Sequence, residues 1–481
     1  MTDIDMAWAA LGGEPSLVPR ISTVVREGAL TAALPVRELA RACVGACALA
    51  GAEWGARRAG LARVPGVRVD DGAVATAFHS ERHLRVDGRA PETFAPLSRF
   101  WPTADGWVRT HANYPHHRAR LLGVLGLPAD ASPGTAGAVL AERPAVEVEE
   151  AVCAAGGLAV ALRTPEEWAA HEQGRALVEH PLVERERLDD APARTPVPLS
   201  GTPLLPMAGL RVLDLTRVVA GPVATRTLAL LGADVLRIDS PRLPELPGQH
   251  LDMDFGKRSA TLDLAAPGDR AAFEELLASA DVVVTGYRPG ALDRFGLSAP
   301  ALAERRPGLV VAQLSAWGAY GPWGGRRGFD SLVQVATGIA VTEGTADGRP
   351  GVLPAQALDH GTGYLLAAAV LRSLTDQTER GGSRVVRLAL ARTAAWLTSG
   401  GTPGDRMPEG GTPGDGAAGN GAPGAVSTGA PYEDASPWLA EADSGAAGRL
   451  RYAMSPVRFA GSPAAWERAP GTWGADAARW R

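Results

Sequence analysis

One short segment joins a single carboxylate to a long apolar stretch. In residues 355–371, AQALDHGTGYLLAAAVL, Asp359 stands at the start of a predicted helix and is followed by His360, Gly361 and Gly363. A carboxylate in a dry pocket can attack an activated acyl group, provided that donors meet the developing oxyanion. The glycines would let backbone approach a ligand closely. An aspartate near a helix start also serves as a cap or dipole partner, and the residues alone favour that role.

Other patterns of potentially reactive residues give weaker evidence of a functional site. The histidines of HANYPHH, which are His111, His116 and His117, lack a carboxylate or fourth ligand at regular spacing, so we expect no metal site there. No GxGxxG follows a predicted strand and no GxSxG elbow is present, so a nicotinamide cofactor has little support and a nucleophilic serine has none. The three cysteines form neither a disulfide framework nor a metal-site spacing.

Composition narrows the class of protein. The chain has 481 residues, 46% of them hydrophobic, and a net charge of −5, which suggests about three units of roughly 150 residues. Its mild acidity argues against a nucleic-acid partner. No apolar run reaches the ~20 residues of a membrane span, and no signal-peptide pattern is present, so a cytoplasmic location is expected. Lys257 is the only lysine among 48 basic residues, which singles out its ammonium group.

The elements that would position Asp359 lie mainly in residues 208–398. Short apolar β-rich runs alternate there with helical segments, which predicts an α/β fold with an open, mainly parallel, Rossmann-like sheet. Residues 1–184 are predicted to form a smaller α+β unit, with a buried helix at 35–58 and strand-like residues at 73–78. The remaining predicted segments are a linker at 185–207, a low-complexity Gly/Pro linker at 399–435 and a tail at 436–481.

Several blocks in 208–398 follow a known order. They include GLRVLDLTRVVAGPVATRTLALLGADVLRID, FGKRSATLDL, ADVVVTGYRPGALDRFGL and AQALDHGTGYLLAAAVL. Their order and spacing resemble those of the family III CoA-transferases, the carnitine/bile-acid (CaiB/BaiF) type. More weakly, residues 1–184 resemble a partial, degenerate copy of a family unit, and 436–481 a degenerate family C-terminus. The resemblance predicts that the N-terminal part supplies the small domain that the C-terminal part lacks.

The resemblance implies an acyl-CoA:carboxylate CoA-transferase that works through covalent aspartyl intermediates, with Asp359 as the nucleophile. It implies no permanently bound cofactor, since a coenzyme A thioester and a carboxylic acid acceptor are the substrates. The positions that match CoA contacts in relatives are Arg294, Arg327, Tyr287, Leu262 and Lys257. Those expected near the substrate are Asp330, Val219 and His360.

Departures from the family pattern leave alternatives open. Val219 replaces a glutamine, Ser240 an arginine and Gly286 an asparagine, which is compatible with a degenerate, non-catalytic acyl-CoA-binding protein. A 2-methylacyl-CoA racemase or epimerase of the same family needs a histidine just before Asp330, where Phe329 stands, and His360 is the only local substitute. Relatives form interlocked dimers, and the sequence does not decide between a monomer and a homodimer.

Overall fold

The structure is a computed structural model that describes residues 2–92, 94–399, 424–445 and 447–481. Its strands are β1 Ile21–Val25, β2 Val67–Asp70, β3 Arg85–Val86, β4 Phe100–Pro102, β5 Trp107–Thr110, β6 Ala159–Ala161, β7 Glu184–Arg187, β8 Arg211–Leu215, β9 Asp234–Asp239, β10 Arg258–Thr261, β11 Val282–Thr285, β12 Val310–Ser315, β13 Arg384–Ala389, β14 Val426–Thr428, β15 Leu439–Asp443 and β16 Arg449–Ala453. Its α-helices are α1 Asp3–Ala10, α2 Val36–Ala59, α3 Asp71–Phe78, α4 Ser80–His83, α5 Pro115–Val124, α6 Pro133–Ala141, α7 Ala145–Ala154, α8 Pro165–Ala170, α9 Glu172–Val178, α10 Ala220–Leu230, α11 Pro247–Met253, α12 Pro267–Leu277, α13 Ala299–Arg305, α14 Asp330–Ala336, α15 Ile339–Thr342, α16 Ala357–Arg380 and α17 Leu390–Ser399.

The central sheet is the predicted α/β sheet. Its order is β10-β9-β8-β11-β12-β13-β7, and all neighbours are parallel except the edge strand β7, which is antiparallel to β13. Alternate residues enter two different cores, since Val212 packs in one and Leu213 in the other. Burial on both faces explains why these strands are continuous apolar runs. The edge strand β7 uses residues 184–187, at the start of the predicted linker.

Two long helices join the N-terminal and C-terminal parts. The predicted helix α2 is buried over most of its length and packs against α16, which is equally buried. The two glycines that follow Asp359 pack against other helices. This packing corrects the expectation that they let a ligand approach the backbone. A Cβ on Gly361 would lie 3.1 Å from Leu39 of α2, and one on Gly363 would lie 2.5 Å from the carbonyl oxygen of Ala220, where α10 begins.

Two of the three smaller sheets also draw on both parts of the chain. β14 and β2 flank β1 in parallel, and β16 pairs with both β15 and β3. The third sheet, β4-β5-β6, lies within the N-terminal part. Most of the predicted low-complexity linker, residues 400–423, falls outside the described residues. Within the described ranges, no helix is both long and apolar enough to cross a membrane.

The strand expected at 73–78 is wrong, because these residues belong to helix α3. The carboxylate of Asp70 accepts the backbone N–H of Gly72 and caps the helix. Arg41 binds both carboxylate oxygens of Asp71, in the first turn. This cap and its ion pair lie at the helix N-terminus, where anionic groups are favourable, and they outweigh the strand-like composition of the segment.

Candidate active site

A cavity of about 700 Å³ opens at the carboxyl ends of the parallel strands. Its walls include Leu215, Asp239, Gly286 and Ser315, which end or directly follow β8, β9, β11 and β12. This edge is the usual ligand site of open α/β sheets. The N-terminal part closes the cavity from the other side through residues of and around α5, and the phenol of Tyr114 donates a hydrogen bond to Glu245 at 2.6 Å.

Asp359 lies where this main cavity meets a second, smaller pocket of about 60 Å³. It is in the first turn of α16 and only 7% exposed. Its backbone N–H donates to the carboxylate of Asp330 at 2.9 Å. Burial, together with the negative charges of Asp330 and Glu81, raises the pKa of Asp359 well above its ordinary value. The residue is thus a desolvated carboxylate at the junction of two cavities.

Asp330 shares this environment but does not line either cavity. It is fully buried at the start of α14, and its second oxygen accepts a hydrogen bond from the Gln334 amide at 2.5 Å. Burial raises the pKa of Asp330 to about 6. We therefore assign it a positioning and electrostatic role beside Asp359, reached through the backbone of the helix start.

The wall of the main cavity is rich in arginine. Arg217, Arg242 and Arg326 are each ion-paired, with Glu245, Asp263 and Glu149 respectively. Four more guanidiniums, which we call the free-arginine group, have no ion pair with a described carboxylate. They are Arg120, Arg288, Arg294 and Arg327.

Within the free-arginine group, Arg120 and Arg327 lie close together. A Cβ on Gly156 would be 3.5 Å from one terminal nitrogen of Arg120 and 3.6 Å from one of Arg327. Burial, and after it the charges of Arg288 and Arg120, lowers the pKa of Arg327. Clustered cations without a protein anion favour an anionic ligand such as phosphate.

Most of the predicted CoA positions line the main cavity. Arg294, Arg327, Tyr287 and Leu262 are all in its wall. Leu262 is buried just after β10, and burial raises the pKa of Tyr287 to about 12, which keeps its phenol neutral. The departures at Ser240 and Gly286 also line the cavity, and Val219 lines both the cavity and the small pocket.

Lys257 does not contact the cavity, which corrects its prediction as a CoA-binding residue. Its ammonium is fully buried and binds the carboxylate of Asp214, in β8, at 2.9 Å. Asp214 also accepts hydrogen bonds from the hydroxyls of Thr216 and Thr225. The only lysine of the chain neutralises a carboxylate inside the sheet, where an unpaired charge would be costly.

His360 is likewise placed away from the substrate side, against the expectation. It is fully buried, stacks on Phe78 at 5.1 Å between ring centroids, and lies 3.9 Å from the carboxylate of Glu81. Glu81 itself lines the small pocket. Burial raises the pKa of Glu81, but the interaction with His360 outweighs it, and the net shift is downward.

The resemblance predicted a contribution of the N-terminal part, but it did not identify the residues that line the two cavities. Arg120, on α5, lines the main cavity, and His111, just after β5, lines the small pocket. No local pattern marks Arg120, and the HANYPHH pattern marked His111 only as a candidate metal ligand. Among the described residues no cluster could hold a metal ion. Arg288, by contrast, follows Tyr287 in the block YRPG, so that block carried a signal for it.

The site and sheet define an α/β protein with a buried carboxylate beside an arginine-lined cavity. Residues 207–433 match the model of CoA-transferase family III. The match covers just under half of the chain, and this part of it resembles that family.

Curated relatives match the same kind of region. A "Probable fatty acyl-CoA transferase" of Mycobacterium tuberculosis is 35% identical over 211 residues, 41% of this chain and 54% of that protein. An "Acetyl-coenzyme A transferase" of Hypoxylon pulicicidum is 37% identical over 202 residues, 41% of this chain and 34% of that protein. A "Formyl-CoA:oxalate CoA-transferase" of Bradyrhizobium diazoefficiens is 33% identical over 196 residues, 38% of this chain and 46% of that protein.

Solved structures give partial superpositions. The crystal structure of a hypothetical protein from Mycobacterium tuberculosis is 36% identical, with a TM-score of 0.39, and covers 41% of this chain and 57% of that one. A CaiB/BaiF family protein from Brucella suis is 28% identical, with a TM-score of 0.36, and covers 41% and 58%. The chain thus spans from about a third to just over half of the curated relatives named above.

Proposed function

We propose that the protein is an acyl-CoA:carboxylate CoA-transferase that works through covalent intermediates on Asp359. The observation that carries this proposal is the placement of Asp359. Its buried carboxylate lines a cavity whose wall also presents the free-arginine group. A coenzyme A thioester has the matching shape and charge, with an anionic nucleotide at one end and an acyl thioester at the other. The relatives named as acyl-CoA and formyl-CoA transferases support the same substrate class.

The proposed chemistry balances with Asp359 and the two substrates alone. A carboxylate oxygen of Asp359 attacks the thioester carbonyl carbon, a C–O bond forms, and the C–S bond breaks to release CoA thiolate and leave a mixed anhydride. The thiolate then attacks the aspartyl carbonyl, releases the first carboxylic acid and leaves an aspartyl-CoA thioester. The acceptor carboxylate attacks the carbonyl carbon of that thioester, its C–S bond breaks, and CoA thiolate leaves. The thiolate attacks the acyl carbonyl of the new anhydride, the C–O bond to the aspartyl carboxylate breaks, and the new acyl-CoA and free Asp359 are formed.

Burial of Asp359 serves this scheme in a specific way. A carboxylate stripped of water is destabilised as an ion, which is what its raised pKa reports. The ionised form is consequently a stronger nucleophile than an exposed carboxylate. The same exclusion of water protects the anhydride and thioester from hydrolysis.

The N-terminal part is proposed to complete this site within one chain. Arg120 and Tyr114 line the main cavity, and Glu81 and His111 line the small pocket. These four residues come from the segment that resembles a partial family copy. The boundaries of that unit, a cytoplasmic location and a homodimer remain predictions from the sequence.

The test is intact-protein mass spectrometry after incubation with a panel of acyl-CoAs, followed by hydroxylamine. We expect a CoA-sized adduct on the wild type that hydroxylamine removes and that Asp359→Ala lacks. CoA binding without any adduct would instead support the racemase or the non-catalytic binding protein. An α-proton exchange assay would then separate those two.

A further inference from the structure

The proposed attack by Asp359, which lines the small pocket, needs a hydrogen-bond donor near the reacting carbonyl. When Asp359 attacks a thioester, negative charge develops on the carbonyl oxygen, and a positioned donor lowers that barrier substantially. Val219 lines the small pocket beside Asp359, but its aliphatic side chain offers no donor. A different side chain must therefore meet the oxyanion, unless backbone alone does so.

His111 lies in the same pocket and has an unused ring nitrogen. The imidazole stacks on Phe329 with centroids 3.8 Å apart and planes inclined by 7°. The backbone N–H of His111 donates to the Leu158 carbonyl at 3.1 Å, next to the β5–β6 pairing, which fixes where the ring enters. The residue is 5% exposed, and its Nδ1 has no hydrogen-bond partner among the described residues. A buried, unpaired polar atom is uncommon in folded proteins and calls for a cause.

The contacts around His111 lead back to Asp359. Phe329, on which the ring stacks, immediately precedes Asp330, and Asp330 accepts the backbone N–H of Asp359. The stack and the helix start therefore hold the imidazole and the nucleophile in one rigid unit. His117, the nearest other histidine of this cluster, packs edge-on to His111 at 6.4 Å and lines the main cavity instead.

We infer that His111 is a catalytic hydrogen-bond donor, whose neutral imidazole meets the oxyanion formed when Asp359 attacks the thioester. This inference rests on the proposed function. Burial, and after it the charge of Arg109, lowers the pKa of His111 to about 3. The ring is thus neutral near pH 7 and keeps one N–H donor. It gives up no proton during the step. The electron pair moves from the C=O bond to oxygen and returns as the C–S bond breaks.

The test compares single-turnover adduct formation at saturating acyl-CoA in four variants. His111→Phe keeps the stack and removes the donor, and we expect acylation to slow by about 10²–10³-fold with CoA affinity within about twofold. His111→Gln retains an N–H donor and should stay within about tenfold of the wild type. Val219→Gln, added to His111→Phe, should recover at least about tenfold by supplying a donor from another position in the small pocket.

His180→Phe is the matched control, because His180 also stacks flat on an aromatic ring, that of Tyr320, at 3.5 Å. Neither residue lines either of the two cavities, so this variant should acylate like the wild type. Thermal unfolding of each variant checks that it is folded. Acylation by His111→Phe within about threefold of the wild type would overturn the inference and leave the proposed function standing. If adding Val219→Gln to His111→Phe restored no acylation, and His111→Phe also lost CoA affinity, His111 would have a structural role and the inference would be wrong. A wild type that binds CoA but forms no adduct would overturn both proposals.

Discussion

The lining of the main cavity includes two groups of charged residues of opposite sign, which we call the buried end and the exposed end. At the buried end Asp359 lies beside Asp330, and neither carboxylate forms an ion pair with a described residue. At the other end, Arg288, Arg294 and Arg327 are exposed and free of ion pairs with described carboxylates. The anionic groups are thus buried where the covalent chemistry is proposed, and the cationic groups are exposed to solvent where the nucleotide is proposed to bind.

This contrast predicts separate effects of substitutions on the rate of acylation and on the affinity for CoA. Charge–charge effects grow as water is removed, so the buried end can alter the energy of a nucleophile strongly. Exposed guanidiniums are screened by solvent and salt, so each contributes modestly to binding. Substitutions at the buried end should therefore change acylation, and those at the exposed end should change CoA affinity. The predictions below test that separation.

The largest effect is expected for Asp359→Asn. Without an ionisable oxygen nucleophile, acylation should fall by at least about 10³-fold, while CoA affinity stays within about threefold. Rates of adduct formation and equilibrium binding of CoA measure the two quantities. Asp347→Asn is the control, since this aspartate pairs with Arg349 on the surface and lines neither cavity. A large loss of CoA affinity in Asp359→Asn would break the separation of the two ends.

Lys257→Met should destabilise the fold rather than the CoA complex. It leaves the buried carboxylate of Asp214 without its ammonium partner, which costs about 3–5 kcal/mol in the free energy of unfolding. Urea unfolding should show this loss, and Asp214→Asn added to Lys257→Met should recover part of it. If Lys257→Met weakened CoA binding without changing the free energy of unfolding, the buried ammonium would contribute to CoA binding together with the exposed arginines.

Substitutions of arginines with and without an ion-pair partner should have different effects on CoA affinity. Arg327→Gln should weaken CoA binding by about 5–30-fold, a value at the lower end for charge-assisted hydrogen bonds because the side chain is exposed. It should also reduce the dependence of affinity on salt. Arg242→Gln is the matched control, since Arg242 lines the same cavity but is already paired with Asp263, and should cost no more than about threefold. Equal losses in both would show that the free-arginine group has no special role.

The same contrast explains how much the sequence could predict. The α/β sheet was predicted because strands such as β8 and β11 are apolar runs at regular spacing, and the structure has them in those places. Asp359, Arg294 and Arg327 were placed by motif blocks, and the structure brings all three to one cavity.

The remaining residues depend on contacts that a single sequence does not encode locally. Lys257 lies in a family block, but block membership does not say whether an ammonium faces a cavity or a core. Arg120 and His111 come from elements more than 200 residues away from Asp359 in the chain and reach the site only through packing. The helix α3 was mistaken for a strand because its alanine and valine content hid the cap at Asp70.

The subtlest effect is a shift in pH dependence. Acylation needs ionised Asp359, so its rate should rise with pH through the raised pKa of this residue. Burial raises the pKa of Asp330 less than that of Asp359, so Asp330 ionises first and its negative charge then opposes ionisation of Asp359. Asp330→Asn removes that charge, so the pKa of Asp359 should fall and the rising limb of the rate profile should move to lower pH.

The measurement for this variant is the acylation rate between pH 5 and 9, with Glu81→Gln in parallel. Glu81 contributes the weaker of the two carboxylate repulsions on Asp359, so its variant should shift the limb in the same direction but by less. At high pH, where Asp359 is ionised in every variant, the rates should converge to within a few-fold, because a less basic carboxylate is a slightly weaker nucleophile. A limb that stays in place in Asp330→Asn would mean that burial alone sets the ionisation of Asp359. Solvent exclusion, and not the charge of Asp330, would then determine the reactivity of Asp359 at the buried end.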